Sequence, residues 1–537
     1  MPYRLAIFET HPIQYKVPWF RALAAHPDID LTVFYCMIPD ARQQGAGFGV
    51  DFHWDIPLLE GYRYVVLENV AKRPGVTHFL GCDTPSIADH IGGRAEGGKP
   101  RAEGRSGAPN PTRAASAAAD HPSRVQSQAP GPTTPPSCGP RLSGFPPEAD
   151  PPSVDIPHPL PFDAVIVNGW VVKSCLQALW ACRRAGVPAI LRCEACDLQP
   201  RAWWKTLLHR ALLHQFSAFI AIGKANREFY LKRGVPAERI VDGFYCVENE
   251  RFAGSCPRNA PARSACVKGA STDAAGGRSA LRQKWGIPEG AVCFLFCGKF
   301  AAKKRPLDTL HALQRLQNAG VPVSPCESVN DQANGLQDDG TADHCSRTPG
   351  RPDAPTHASS HPRSGSELWP QDGRRTDAPT HGHTNPRAPL ALLMVGDGEL
   401  RADCEAFARE HCLPVTFAGF LNQCEMPGAY AAADCLVLPS DHGETWGLVV
   451  NEAMACGLPA IVSDRVGCHP DLVIEGQTGH VFPCGDAAAL AQVMRQSAAD
   501  PERLATMGRS AQEHVQRYSI SGLVGGTLAA LRLVSRT

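Results

Sequence analysis

Ser440-Asp-His-Gly-Glu-Thr-Trp-Gly-Leu-Val-Val-Asn-Glu-Ala-Met-Ala-Cys-Gly-Leu-Pro-Ala-Ile-Val-Ser463 is the stretch that decides the fold. It reads as a loop, a short helix and a buried strand. Leu436 to Pro439 ahead of it is an apolar run of the preceding strand, and Gly443 punctuates the turn that leaves it. Gly447 to Cys456 holds good helix formers without an internal proline, Gly457 suits the position just past a helix end, and Pro459 forbids continuation. The helix therefore starts just after Glu444. Its unpaired N–H groups, those of Gly447, Leu448, Val449 and Val450, point back at the loop and make a place for an anion such as a diphosphate. Glu444 lies in the loop and Glu452 one to two turns into the helix. With a rise of about 1.5 Å per residue, their carboxylates should lie on the order of 10 Å apart. That is too far to share a proton and suits two parts of one ligand.

Working outward, Val292 to Cys297 reads as a strand that delivers Gly298-Lys-Phe-Ala-Ala-Lys-Lys-Arg-Pro306 to the start of another helix. Glycine at a strand end, followed by cations and a helix start, is a phosphate site in physical terms. The competing reading, a solvated basic cluster at Lys303 to Arg305, is disfavoured by its place in the strand–helix unit. Likewise, two glutamates on an amphipathic helix can be no more than a solvated face. Here the glycines, the proline and the flanking strands argue for a ligand site.

These residues resemble the donor-sugar motif of retaining glycosyltransferases of family 4, the glycosyl transferases group 1. The likeness includes Trp-Gly after the first glutamate and Glu-Ala-Met-Ala-x-Gly-x-Pro from the second. The resemblance implies that Glu452 holds the nucleotide ribose hydroxyls and that Glu444 lies at the transferred sugar. It also puts Lys299 and Lys304 on the donor diphosphate, beside Gly298, with Gly447, Leu448 and Val449 at the helix start. Lys299 stands where the family usually carries an arginine, so it offers a point charge in place of a bidentate fork. Val415 to Phe420 resembles the segment lining the nucleobase, where backbone does the reading. The fold so implied is GT-B: α/β, two Rossmann-like domains facing across a cleft, with the last helix, 520–534, packing back on the first domain. The expected boundaries are 1–250 for an acceptor-binding domain and 251–537 for a nucleotide-sugar-binding domain.

The first half carries the same grammar. Arg4 to Glu9 and Leu31 to Cys36 are buried strands around a helix near Val17 to Ala25, a βαβ unit. Its loop His11-Pro-Ile-Gln-Tyr15 leaves the carboxyl end of a parallel strand, where ligands of such sheets bind. Thr10 to Tyr15 also looks like the opening of a bacterial subgroup of the family. His11 is taken as a site residue rather than a turn histidine, and Gln14 stays open. Phe162 to Asn168 and Pro188 to Arg192 continue the strands. Many family members carry a histidine after the latter, whereas this chain has Glu194. A carboxylate on an acceptor hydroxyl and a salt bridge to Arg192 both stay open for it. The helix near Ala202 to Phe216 has an apolar stripe at Trp204, Leu207, Leu208, Ala211 and Leu212 among basic residues. A core-facing stripe is the favoured reading; a weak peripheral contact with a membrane surface is the other.

Composition bounds the rest. At 537 residues the chain can fill two cores, and Lys+Arg 53 against Asp+Glu 53 gives no global charge for nucleic acid. No apolar run approaches the roughly eighteen residues of a membrane span, and residues 1–10 lack signal-peptide anatomy, so a cytoplasmic protein is expected. The 21 cysteines, odd in number and scattered, read as reduced thiols, with Cys193-Glu-Ala-Cys196 incidental. Three segments, about 92–161, 255–278 and 324–389, are rich in Gly, Pro, Ser and Ala, lack periodicity, and are read as disordered insertions. The expected activity is retaining transfer of a sugar from a nucleotide diphosphate donor to a glycan or lipid-linked acceptor hydroxyl. No cofactor and no metal are expected, since no aspartate pair of metal-binding form is present. A nucleotide-sugar epimerase of related architecture, or a donor-binding protein without turnover, remain as alternatives.

Overall fold

The computed structural model describes residues 1–92, 162–198, 201–256, 258, 274–323 and 389–535. Two of the three segments read as disordered insertions, 92–161 and 324–389, lie outside the described residues but for 92 and 389. The third, 255–278, is corrected at its ends, since 255, 256 and 258 are described and 274–278 form the start of the helix Ala274–Lys284.

Two parallel sheets carry the chain. The first contains β1 (Tyr3–Glu9), β2 (Ile29–Tyr35), β3 (Tyr64–Val66), β4 (Ala164–Asn168), β5 (Ala189–Arg192), β6 (Ala218–Ala221) and β7 (Ile240–Asp242), in the order β3-β2-β1-β4-β5-β6-β7. The second contains β8 (Val292–Cys297), β9 (Leu390–Val395), β10 (Val415–Gly419), β11 (Cys435–Leu438), β12 (Ala460–Ser463) and β13 (Gly479–Phe482), in the order β10-β9-β8-β11-β12-β13. Their composition explains the architecture. Strands such as Val292–Cys297 and Leu390–Val395 are buried along their whole length, as strands covered by helices on both faces must be. The connecting helices use the expected punctuation: Gly186 ends Lys173–Ala185 in the left-handed region at φ 72°, and Asp486 caps the helix Ala487–Ala499 by accepting two backbone N–H bonds.

Both sheets reverse strand order once, between β1 and β4 and between β8 and β11. In open parallel sheets the crevice beyond the carboxyl ends of the strands at such a reversal is where ligands sit. Each reversal thus positions one wall of a shared cleft. The last helix, Ile520–Val534, crosses to the first sheet: Leu523, Val524, Leu528 and Leu531 join its core, and Trp19 Nε1 donates to Thr527 Oγ1 at 3.2 Å.

One expectation fails. The helix observed as Trp203–Leu213 does not face the core: of its residues only Leu213 is buried, and Trp204, Leu207 and Leu208 are exposed. Helical periodicity marks a stripe, but not which way the stripe points. A cavity of about 550 Å³ lies on the far side of the second domain, near the amino ends of β8 and β11. Its Arg258, Arg278 and Arg282 converge on Asp434 and on the carbonyls of Ala432 and Ala433, which gives them a structural role.

Candidate active site

The β8 turn and the β11 turn meet. Gly298, at φ 156°, leaves β8, and Ala302–Lys304 forms a 3-10 turn. Arg305 then adopts the left-handed region at φ 49° before Pro306 starts the next helix. This turn brings Lys304 Nζ onto Glu444 Oε2, an ion pair in which both side chains are largely shielded. From the other direction, Gly447 sits at φ 100° as the N-cap of the helix Leu448–Ala455. A Cβ there would lie 3.0 Å from Leu438 Cδ2 and 3.1 Å from Val466 Cγ1. Gly467 N donates to Glu444 O at 3.0 Å and Cys468 N to Trp446 O at 2.9 Å, which staples the loop to the β12 turn. Gly447→Ala should therefore cost about 1–3 kcal/mol, left-handed strain plus crowding, read as a lowered denaturant midpoint in equilibrium unfolding.

Glu452 lies on the buried face of that helix, where Tyr430 OH donates to its Oε2 at 2.6 Å. Burial outweighs this bond and pushes its pKa up to about 7. Leu448 and Val449 occupy the first two positions of the helix, so their backbone N–H groups are among its unpaired donors.

Lys299 is held from the opposite domain. Its Nζ donates to Ala46 O at 2.9 Å and lies 4.0 Å from the centre of the Phe48 ring. Burial first, and then Lys303 and Lys304, lower its pKa. The same loop reaches Phe420, whose ring centre is 4.3 Å from Phe52 and 5.3 Å from Phe48. Asn422 Nδ2 donates to His53 O at 2.8 Å, and Cys424 N to Asp55 Oδ2 at 3.0 Å. Residues 46–55 thus form a strap from the first domain over the edge of the second. Nothing in their sequence carries a periodic signal that would have revealed it.

On the first domain, His11 follows β1 at the strand reversal. Its Nδ1 lies 2.9 Å from Thr10 Oγ1, and burial, the largest influence, lowers its pKa. Beneath it Glu9 and Lys16 form a buried pair at 2.6 Å. Glu194 follows β5 and does not pair with Arg192. Tyr245 OH donates to Glu194 Oε1 at 2.6 Å and Thr445 Oγ1 to Glu194 Oε2 at 2.9 Å. Arg192 instead lies over the rings of Tyr245 and Trp19, 4.7 and 5.2 Å from their centres. The salt-bridge alternative for Glu194 is therefore corrected: its carboxylate spans the cleft to the residue beside Glu444. Tyr15 stands edge-on to Tyr245 at 5.7 Å. Close by, a Cβ on Gly223 would come within 2.3 Å of Trp446, and Lys224 N donates to Asp471 Oδ2 at 3.0 Å, so the domains touch through backbone. Tyr245, Thr445 and Tyr430 escaped sequence reasoning because each acts through a partner distant in the chain.

Lys304, Glu444, Glu194 and the helix start at Gly447 thus converge from three turns, those after β8, β11 and β5, with Glu452 on the helix that follows Gly447. The arrangement offers a cation and N–H donors for a diphosphate, an internal carboxylate for hydroxyls, and a polar floor crossing to the other domain. Cys193 and Cys196 are both buried free thiols.

Residues 384–514 match the family model described as glycosyl transferases group 1. Sulfoquinovosyl transferase SQD2 of Arabidopsis thaliana is 38% identical over 130 residues, 24% of this chain and 25% of that protein. A D-inositol 3-phosphate glycosyltransferase of Saccharomonospora viridis is 40% identical over 95 residues, 18% of this chain and 22% of its own. The matches span about a quarter of these curated relatives' length. Among solved structures, Anabaena HepE in complex with UDP and glucose has a TM-score of 0.54 at 13% identity, covering 99% of both chains. Sucrose-phosphate synthase from Thermosynechococcus elongatus has a TM-score of 0.53 at 16% identity, also covering 99% of both chains. The fold is GT-B.

Proposed function

We propose that this chain, whose second half carries a glycosyl transferases group 1 domain, moves a sugar from a nucleotide diphosphate donor to an acceptor hydroxyl with retention of anomeric configuration. The observation that carries this reading is the meeting of the Lys304 turn with Glu444 at the strand reversal of the second sheet, one helical stretch from the buried Glu452. The donor's diphosphate would lie against Lys304 and the N–H groups of Leu448 and Val449, and its ribose hydroxyls against Glu452. In this reading charge on the departing diphosphate is met by lysine and helix N–H groups rather than by a metal ion. The HepE structures with UDP and with UDP-glucose make UDP-sugars the first donors to test.

His11, at the corresponding reversal of the first sheet, would face the acceptor. One hydroxyl proton serves one partner: with Thr10 Oγ1–H on Glu9 Oε1, that oxygen would accept Nδ1–H of His11, which would leave the lone pair on Nε2 for an acceptor hydroxyl. Glu194 would act by holding the cleft floor together through Tyr245 and Thr445. Lys299 would reach the diphosphate when the strap at residues 46–55 releases it. The acceptor would be a glycan or a lipid-linked hydroxyl compound, with a peripheral membrane contact, and the buried free thiols suit a reducing cytoplasm.

Incubating the full chain with labelled UDP-sugars and extracted acceptors tests the reading. Labelled glycan or glycolipid whose new linkage keeps the donor's anomeric configuration by NMR supports it. An inverted linkage overturns retention. Isomerised free sugar, or nucleotide binding without any turnover, overturns transfer.

A further inference from the structure

We propose that the helix Trp203–Leu213 docks the first domain on an anionic phospholipid surface. Four large apolar side chains project from it into solvent: Trp203 is 75% exposed, Trp204 52%, Leu207 56% and Leu208 61%. They form one stripe, since 203 and 207, and 204 and 208, are each one helical turn apart. Val171, 70% exposed, lies in the neighbouring loop, whose Trp170 ring is 5.5 Å from that of His209 on the helix. A contiguous exposed apolar surface of this kind on a folded domain marks an interaction site.

Charge identifies the occupant. No Asp or Glu occurs between Asp197 and Glu228, while Arg201, Lys205, Arg210, Lys224 and Arg227 all do. Arg201 is partly neutralised by Asp197, whereas Lys205 and Arg210 form no ion pair among the described residues and border the stripe. Exposed tryptophans and leucines flanked by cations, with no carboxylate, are what an in-plane interfacial helix needs: rings enter the headgroup layer and the cations meet lipid phosphates. Arg227 is paired with Asp242 and Lys224 Nζ donates to Pro470 O, so the cations left for a partner are Lys205 and Arg210, which two copies of the chain would bring face to face. The patch also lies on the cleft side of the sheet, since Trp170 and Val171 follow the carboxyl end of β4 and the helix follows that of β5. Docking there would present the His11 side of the cleft to a lipid-linked acceptor; this orientation, unlike the docking itself, rests on the function proposed above.

Sedimentation of the full chain with vesicles of phosphatidylglycerol and phosphatidylcholine, against phosphatidylcholine alone, tests the proposal. The chain should pellet with the anionic vesicles, with a blue shift in tryptophan emission. K205Q/R210Q should weaken that binding roughly thirtyfold, from about 1 kcal/mol per cation lost. W203S/L207S should abolish the blue shift while the thermal midpoint stays unchanged, because both side chains stand in solvent. Equal partition onto both vesicle types, no pelleting at all, or vesicle binding that survives both variants would overturn it. So would a concentration-dependent dimer in gel filtration that W203S/L207S dissolves. UDP binding, measured on the same samples, should be the same in all variants, so a failure of docking is distinguishable from a failure of the donor site.

Discussion

Lys304→Ala is expected to lower kcat for sugar transfer by about 10²–10³, the range for removing one preorganised charge-stabilising donor. Lys304 is the cation through which the β8 turn touches the β11 turn, and its partner Glu444 lies beside the helix start that would receive the diphosphate. In the unliganded protein Glu444 neutralises it. A bound diphosphate brings more negative charge than one carboxylate, so the lysine would be shared between them, and its value rises as the leaving group gains charge in the transition state. The ground state gains less, which is why kcat should fall further than KM rises. The variant also leaves Glu444 shielded and without its counter-ion, so some loss of stability is expected. Lys304→Arg separates the two effects: it keeps the charge, restoring the thermal midpoint, but its planar fork occupies a different volume and should recover only part of kcat. Steady-state kinetics alongside thermal unfolding of both variants provide the check. Equal kcat in wild type and K304A would remove Lys304 from the chemistry.

Glu452→Ala should raise the Kd for the donor nucleotide by about 10- to 100-fold, since hydrogen bonds to a charged group contribute roughly 1.5–3 kcal/mol. Unlike K304A it should leave the rate at saturating donor largely unchanged, because the ribose contact is made equally in ground and transition states. The variant strands the buried Tyr430 hydroxyl, which donates to Glu452 Oε2 at 2.6 Å, at a stability cost of about 1–3 kcal/mol.

The pH behaviour of Glu452 gives a separate handle. Burial raises its pKa from 4.5 to about 7, so the folded protein favours the neutral carboxyl. The stability tied to that neutral form is complete below pH 4.5 and is lost as pH rises through about 7. Glu452→Gln, which cannot ionise, should match wild type near pH 4.5 and be the more stable protein above pH 7 by urea titration. Donor binding should move the other way, strengthening as pH rises through about 7 and the carboxylate becomes the better acceptor for ribose hydroxyls. A donor Kd independent of pH between 6 and 8 would contradict the assignment.

Particular residues show why parts of the site were legible in the sequence. In a parallel sheet the functional loops follow strand ends, and both Gly298 to Pro306 and Glu444 to Gly447 sit between an unmistakable apolar strand and a helix start. Spacing therefore placed both loops between a strand end and a helix start, and the family resemblance picked Lys304 and Glu444 out of them. What spacing could not supply was pairing across the cleft. Glu194 is separated from Thr445 by 251 positions, and its alternatives could be separated only by seeing Arg192 stacked on Tyr245 and Trp19. Lys299 looked like the equal of Lys304, since both follow Gly298 in one loop. Only the fold shows that the strap at residues 46–55 holds one while Glu444 holds the other. The helix Trp203–Leu213 is a different kind of miss: its pattern was read correctly, but the direction of its stripe depends on neighbours that the pattern does not encode.

The most direct test of the central claim is calorimetric titration of UDP into the wild-type chain, K304A and E452A under one buffer. The account predicts a single site per chain in the wild type, with affinity lowered in both variants, most in E452A. Wild-type and variant chains that bind UDP equally well, or a wild type that binds no nucleoside diphosphate, would contradict it.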